Sequence, residues 1–138
     1  MTFVRAHRAI VVDASVAIEL LQGHAEWTER IERLIQEDEL LLVPQHFMIE
    51  VANALLRGLR MAPGAVVERI ERLTRIGIEI TDRGTEGIRS AVEIAERRNL
   101  TVYDAAYLDL AIDVDGELAT VDGDLIKAAA AEGVEVVA

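Results

Sequence analysis

The chain has 138 residues, enough for a hydrophobic core of its own, and we expect a single domain over residues 1–138. It contains no cysteine, which excludes disulfides, thiolate metal sites and cysteine nucleophiles. The formal net charge of −11 argues against non-specific binding of nucleic acid, unless divalent cations lie between the protein and the phosphates. The apolar run after the basic first residues is too short for a signal peptide or a membrane span, so we expect a cytoplasmic protein.

Short apolar strands alternate with helical segments along the chain. Strands are predicted at residues 9–12, 40–43, 77–80, 117–121 and 134–137. Helices are predicted at residues 14–21, 27–37, 47–59, 65–74, 85–98, 102–114 and 124–131. The second of these helices has an apolar stripe that consists of Trp27, Ile31, Leu34 and Ile35. The alternation predicts an α/β domain, a three-layer sandwich with a mostly parallel sheet.

Two of the predicted strands end in a carboxylate. The first strand continues directly into Asp13, and the strand at 117–121 stops at Asp122. Because open α/β sheets bind ligands at the carboxyl ends of their strands, this arrangement predicts a shared acidic pocket. Each acid also has a structural interpretation. Asp13 is suited to be a helix N-cap, with Ser15 either sharing that role or bonding a carboxylate or a metal-bound water, whereas Asp122 fits an Asp-Gly turn, with Asp124 capping the last helix.

Glu50 lies at the edge of the apolar stripe of its predicted helix. Asn53 and Arg57 share this edge, three and seven residues further on. The pattern therefore allows either a boundary glutamate that is solvated or paired with Arg57, or an acid that belongs to the predicted pocket.

Asp104 is predicted to lie on the apolar face of its helix, together with Tyr107. A charge there is costly unless it is paired or bound to a metal, which favours a ligand role. Thr101, three residues earlier, also fits a capping box, and the two roles are compatible. Asp109 and Asp113 fall on the opposite side of the helix, where we expect a solvated face.

The sequence resembles the PIN-domain ribonucleases, and more narrowly the VapC-like toxins of bacterial and archaeal type II toxin–antitoxin pairs. The resemblance covers nearly the whole chain, in order. The segments that carry it are Val11-Val12-Asp13-Ala14-Ser15-Val16, Glu50-Val51-Ala52-Asn53-Ala54-Leu55, Val102-Tyr103-Asp104-Ala105-Ala106-Tyr107, Leu118-Ala119-Thr120-Val121-Asp122-Gly123-Asp124-Leu125 and the closing residues 128–137.

The resemblance implies a parallel α/β/α sandwich and an endoribonuclease that depends on Mg²⁺ or Mn²⁺. The catalytic, metal-binding residues that it implies are Asp13, Glu50, Asp104 and Asp122, with Ser15, Thr120 and Asp124 as nearby polar support. We expect Asp13, Asp104 and Asp122 to hold the principal ion, and Glu50 to position a second ion or the attacking water.

The resemblance also implies partner proteins, and the sequence differs from many members of the family after Asp122. Members of the family dimerise and are silenced by a small antitoxin, whose C-terminal segment crosses the acidic groove and often places an arginine among the carboxylates. Gly123 and Asp124 stand where many relatives carry basic residues, so contacts to the RNA substrate would fall to Arg57, Arg60 or Lys127.

Two other functions remain open from the sequence alone. A non-catalytic module would use the acidic groove only to bind a basic partner segment. A phosphatase or phosphoacceptor domain fits less well, because Ser15 stands where such a phosphatase needs a second aspartate and Lys127 lies deep in the last helix. The histidines offer no better chemistry, since His7, His24 and His46 are scattered and are expected at the surface or in packing.

Overall fold

The computed structural model of the protein describes residues 7–137, so residues 1–6 and 138, which the single-domain prediction includes, lie outside the described part. The strands are β1 (Ala9–Val12), β2 (Leu40–Pro44), β3 (Glu79–Thr81) and β4 (Glu117–Ala119). The helices are α1 (Ala14–Leu21), α2 (Ala25–Gln36), α3 (Phe47–Asn53), α4 (Pro63–Thr74), α5 (Gly84–Arg98), α6 (Val102–Asp113) and α7 (Gly123–Ala131).

The four strands form one parallel sheet in the order β3-β2-β1-β4. In the register of this sheet, Val11 of β1 lies between Leu42 of β2 and Leu118 of β4. In β1, Ile10, Val11 and Val12 are almost fully buried, as expected for a strand that is covered on both faces. The parallel sheet places the carboxyl ends of β1 and β4 side by side, which puts Asp13 next to the segment that follows Ala119.

Helices cover the sheet in the predicted three-layer arrangement. Helix α6 packs on β1, β2 and β4 and contacts α5 and α7, while α1 contacts α2 and α3. The predicted stripe of α2 is confirmed for Trp27, Ile31 and Leu34, which belong to the core, but Ile35 is 43% exposed. In residues 7–137, no helix is both long and apolar enough to cross a membrane.

Strand bounds differ from the prediction at four places, the smallest difference being β2, which runs one residue further to Pro44. Strand β3 begins at Glu79 because Gly77 has φ +91°, a left-handed conformation that interrupts an extended strand. Strand β4 stops at Ala119, so that the buried Thr120 belongs to the turn that follows. The predicted last strand is reduced to a single parallel bridge between Leu118 and Val136.

The helix predicted over residues 47–59 is α-helical only as far as Asn53. A wider π-helical turn follows at Ala54–Gly58, and the Leu59 N–H donates to the Ala54 carbonyl at 3.0 Å. Such π-helical turns occur often near functional sites. Here the turn begins one helical turn after Glu50.

The prediction of a solvated face on α6 is wrong for Asp109. Asp109 is only 4% exposed, and Arg83, at the start of α5, donates a hydrogen bond to its carboxylate. The same guanidinium lies 3.2 Å from the Asp113 carboxylate, which is exposed as expected. The prediction failed for Asp109 because its partner comes from 26 residues earlier, and helix periodicity carries no signal of such a pairing.

Candidate active site

Asp13 lies at the end of β1 and caps helix α1. Its carboxylate accepts hydrogen bonds from the Val16 N–H at 3.0 Å, from the Ser15 hydroxyl at 2.6 Å, and from the Thr120 hydroxyl. The N-cap interpretation is therefore correct, and Ser15 bonds the carboxylate as one of its predicted roles. The residue is 4% exposed, so these three donors are what makes its burial tolerable.

Burial dominates the electrostatics of Asp13. Removal from water, with a smaller contribution from the nearby charge of Glu50, raises the pKa of its carboxyl group to about 6. The hydrogen bonds from Ser15, Thr120 and Val16 act in the opposite direction but do not cancel the effect. Near neutral pH, the ionised Asp13 therefore lies in a site that would gain from a neighbouring positive charge.

The turn after β4 is joined to the end of β1 by backbone and hydroxyl groups. The Asp13 N–H donates to the Ala119 carbonyl at 3.1 Å, and the Val121 N–H donates to the Ser15 hydroxyl oxygen at 3.1 Å. Thr120 donates to Asp13 and accepts from the Asp122 N–H at 3.0 Å. This network of hydrogen bonds fixes the position of Asp122 relative to Asp13, although the two residues lie far apart in the sequence.

Asp122 caps helix α7, a role that the structural interpretation gave to Asp124. Its carboxylate accepts from the Asp124 N–H at 2.9 Å and from the Leu125 N–H at 3.4 Å. Asp124 takes part in this cap only through its backbone N–H. Asp124 is exposed and lines a groove together with Arg97 and Lys127.

Glu50 projects from α3 toward α6. The buried Tyr107 donates its phenolic hydrogen bond to Glu50 at 2.9 Å, and His46 Nε2 lies 3.2 Å from the same carboxylate oxygen. These two partners, rather than the predicted Arg57, are the ones that contact Glu50. The Glu50 side chain is about one-third exposed, so it remains accessible to a ligand.

Asp104 lies in the first turn of α6. The Thr101 hydroxyl oxygen caps the helix by accepting the Asp104 N–H at 3.1 Å, as the capping box predicts. Burial raises the pKa of the Asp104 carboxyl group, and repulsion from Asp122 and Glu50 raises it further. The cap uses the Asp104 N–H, and a hydrogen bond between the Asp104 carboxyl group and Thr101 lowers the pKa without cancelling the effect of burial.

These interactions connect all the predicted acids at one edge of the sheet. Electrostatic repulsion couples Asp13 to Glu50, and couples Asp104 to both Glu50 and Asp122. However, no three His, Cys, Asp or Glu side chains within residues 7–137 converge closely enough to form a ready-made metal cluster. The carboxylates are thus coupled neighbours, and binding of a shared cation would require their side chains to approach one another.

Two neighbours of Glu50 were not singled out from the sequence. His46 was expected at the surface or in packing, and its ring does pack 5.0 Å from the Tyr107 ring, but its contact with Glu50 was not predicted. The signal was available, because His46 lies four residues before Glu50 on one helical face. Tyr107 was noted only as a neighbour on the apolar face. Burial and the adjacent Glu50 raise the pKa of its hydroxyl group, which keeps it protonated as a donor.

The fold and the site together define an α/β domain with a parallel sheet and acidic side chains at its carboxyl edge. The family model described as PIN domain matches residues 10–131, and the chain belongs to this family. The resemblance inferred from the sequence segments is confirmed, as is the predicted fold class.

Individual relatives agree with this assignment. Ribonuclease VapC3 of Pyrobaculum aerophilum is 32% identical over 122 residues, which cover 86% of this chain and 92% of that protein. Two solved structures share the fold at lower identity. Mycobacterium tuberculosis VapC20, described as a sarcin-ricin loop cleaving toxin, is 19% identical with a TM-score of 0.70 over 93% of this chain and 98% of its own. Rickettsia felis VapBC2, bound to a promoter DNA fragment, is 13% identical with a TM-score of 0.69 over 94% and 97%.

Proposed function

We propose that this PIN-domain protein is an endoribonuclease and the toxin component of a toxin–antitoxin pair. The observation that carries the proposal is that hydrogen bonds join Asp13 to the segment of Asp122 at the carboxyl edge of the sheet, with Glu50 and Asp104 on the neighbouring helices α3 and α6. The 32% identity to a protein named a ribonuclease supports the reaction. The substrate class is RNA, and the bond that is broken is a phosphodiester.

We infer that Mg²⁺ or Mn²⁺ is the cofactor. The donors are all carboxylate and hydroxyl oxygens, which suit hard divalent cations. Burial first, and the charge of neighbouring acids second, raise the pKa of Asp13 and of Asp104, and a bound cation would offset both effects. Asp13, Asp104 and Asp122 would hold the principal ion. Glu50 would position a second ion or the attacking water. When bound, such an ion lowers the pKa of a coordinated water and offsets the charge that develops on the phosphate.

The protein's own groups orient these acids. Ser15 and Thr120 hold the Asp13 carboxylate through two hydroxyl donors, and the N-cap bonds of α7 hold Asp122. Tyr107 holds Glu50 from the core side. These donors orient the carboxylates before substrate arrives, although the side chains still have to approach one another to share a cation.

Partners follow from the same assignment. We propose that a small antitoxin silences the protein, because the solved structure from Rickettsia felis is a complex of this toxin–antitoxin type. We also propose a homodimer, and a cytoplasmic location where RNA and antitoxin are both present. Basic residues that would contact RNA are Arg57, Arg60 and Lys127, which are exposed.

The direct test is cleavage of single-stranded RNA in Mg²⁺, with Asp104→Asn and Asp122→Asn as variants. We expect both variants, and EDTA, to abolish cleavage while the circular dichroism spectrum is unchanged. Asp115→Asn is a matched control, because Asp115 is exposed and has φ +51°, a conformation that asparagine also tolerates. Cleavage that persists in both site variants would refute the mechanism.

One observation favours the alternative of a non-catalytic binding module. The acidic side chains of residues 7–137 do not form a ready-made metal cluster, and an acidic groove alone would suit a basic partner segment. In that case the wild-type protein would cleave no RNA in Mg²⁺ or Mn²⁺, and it would bind an arginine-rich peptide in a salt-dependent manner.

A further inference from the structure

A cavity of about 600 Å³ opens beside the acidic edge. It lies between α5 and α6 and is closed by the residues that follow β2 and β3, with walls that include His46, Arg83, Ile88, Val102 and Tyr103. This volume is within the range of roughly 300–1,000 Å³ that small-molecule sites occupy. None of the acids assigned to the candidate active site lines the cavity, so it is a separate space.

His46 forms a wall between this cavity and the acidic site. On one side, its Nε2 lies 3.2 Å from the Glu50 carboxylate, and on the other it lies 3.1 Å from the Tyr103 carbonyl oxygen. Tyr103 directly precedes Asp104 in α6. Tyr103 therefore connects the lining of the cavity directly to an acid of the candidate active site.

The rim of the cavity is apolar and unusually exposed. Tyr103 is 68% exposed, and its ring lies 5.8 Å from the His46 ring at an angle of 52°. Ile88, across the opening, is 62% exposed. An exposed aromatic ring beside a nuclease site is suited to stacking on an unpaired base, which is the usual way that proteins hold single-stranded RNA.

The charges of the cavity exclude a phosphate as its ligand. Arg83 is the guanidinium in its wall, and it is already paired with the buried Asp109 and with Asp113. Asp82 adds another carboxylate to the lining. His46, which also lines the cavity, is in contact with Glu50 and with the Tyr103 carbonyl oxygen, so both basic side chains of the lining already have partners. The cavity therefore suits a flat, uncharged group, and the base is the part of RNA that fits this description.

We propose that the cavity binds an unpaired base next to the scissile phosphate, with the Tyr103 ring stacked on that base. Tyr103 then helps to determine which RNA sequence is cleaved. This inference rests on the proposed ribonuclease function and adds a specificity site to it.

The first experiment measures cleavage of a randomised pool of short single-stranded RNAs in Mg²⁺. We expect Tyr103→Ala to raise KM about tenfold, as loss of one stacked base predicts, with little change in kcat and a broader choice of cleavage sites. Tyr103→Phe keeps the ring and should behave as wild type. Val92→Ala is the matched control, because Val92 is exposed on α5 and does not line the cavity.

A second experiment is independent of catalysis. Titration of the four ribonucleosides in metal-free buffer, followed by NMR, should shift the amide signals of Gln45, Ile88 and Tyr103 for at least one base. Tyr103→Ala should abolish these shifts, and Val92→Ala should keep them. Thermal unfolding of each variant reports whether the fold is intact.

The outcomes separate this inference from the function on which it rests. If the wild-type protein cleaves RNA but Tyr103→Ala keeps the wild-type KM and cleavage pattern, the base site is wrong and the ribonuclease function stands. A cavity that accepts a side chain of a protein partner would give that result. If the wild-type protein cleaves no RNA in Mg²⁺ or Mn²⁺, the proposed function fails together with the role of Tyr103 in cleavage, and the nucleoside titration alone decides whether the cavity binds a base.

Discussion

The Tyr107 hydroxyl group donates a hydrogen bond to Glu50 at 2.9 Å and so joins α6 to α3 across the acidic edge. The residue is 1% exposed, and its hydroxyl stays protonated because burial and Glu50 raise its pKa. The bond therefore persists over the whole physiological pH range. It fixes the one acid of the candidate site that lies on α3.

Tyr107→Phe tests this positioning role. We expect the variant to lower kcat for RNA cleavage and leave KM nearly unchanged, because Glu50 is no longer held while substrate contacts remain. Loss of the hydrogen bond should cost about 1 kcal/mol of unfolding free energy, since its acceptor is partly solvated. A purely structural role would be contradicted by the kcat effect and supported by its absence.

The buried Asp13 predicts a pH-dependent stability in the absence of metal. The folded carboxyl group has a pKa of about 6, above the value of about 3.9 in an unfolded chain, so the folded state binds the proton more tightly. Its contribution to stability is therefore greatest below about pH 4 and is lost as the pH rises through 6. By pH 7.5 the loss amounts to about 3 kcal/mol.

Asp13→Asn should remove this pH-dependent contribution to the unfolding free energy, because asparagine carries no charge. Asparagine also caps helices about as well as aspartate, so the cap should be kept. Relative to wild type, the variant should gain unfolding free energy between pH 4.5 and pH 7.5, measured by urea denaturation in EDTA. Asp124→Asn is the control, since Asp124 is exposed. A difference between Asp13→Asn and wild type that does not change with pH would contradict the prediction.

The buried pair of Arg83 and Asp109 predicts a large effect of removing one partner. Arg83→Met leaves the Asp109 carboxylate buried without its cation, which should cost about 3 kcal/mol or more in urea unfolding. The double variant Arg83→Met/Asp109→Leu should recover most of this loss. Arg75→Met is the matched control, because Arg75 and Glu71 form an exposed pair at 3.9 Å, worth less than about 1 kcal/mol. Equal effects of Arg83→Met and Arg75→Met would contradict the prediction.

The sequence was sufficient for the four strands of the sheet and for the positions of the predicted acids along the elements, because these depend on local patterns. Continuous apolar runs predicted the strand that ends just before Asp13 and the strand that leads toward Asp122, although β4 stops at Ala119, and the helix periodicity placed Glu50 and Asp104. Pairings between distant segments were not accessible. Arg83 reaches Asp109 from another helix, and Tyr107 reaches Glu50 across 57 residues. Such contacts depend on tertiary packing, which periodicity within one helix does not encode.

Divalent cations should stabilise the fold by mass action. At a Mg²⁺ concentration ten times its Kd, the gain is about 1.4 kcal/mol, which should raise the Tm of a domain of this size by about 3–6 °C. Asp104→Asn should show little or no increase. The comparison needs NaCl at matched ionic strength, and a Tm increase of equal size in Asp104→Asn would indicate that the cation binds elsewhere.

Direct titration of Mn²⁺, followed by the EPR signal of the free ion at pH 7.5, tests most directly whether the acids share a divalent cation. The wild-type protein should deplete the free signal with saturation, and Asp104→Asn and Asp122→Asn should each weaken binding by about tenfold or more, whereas Asp115→Asn should bind as wild type. A wild-type protein that leaves Mn²⁺ free, or site variants that bind it equally well, would contradict the shared cation site.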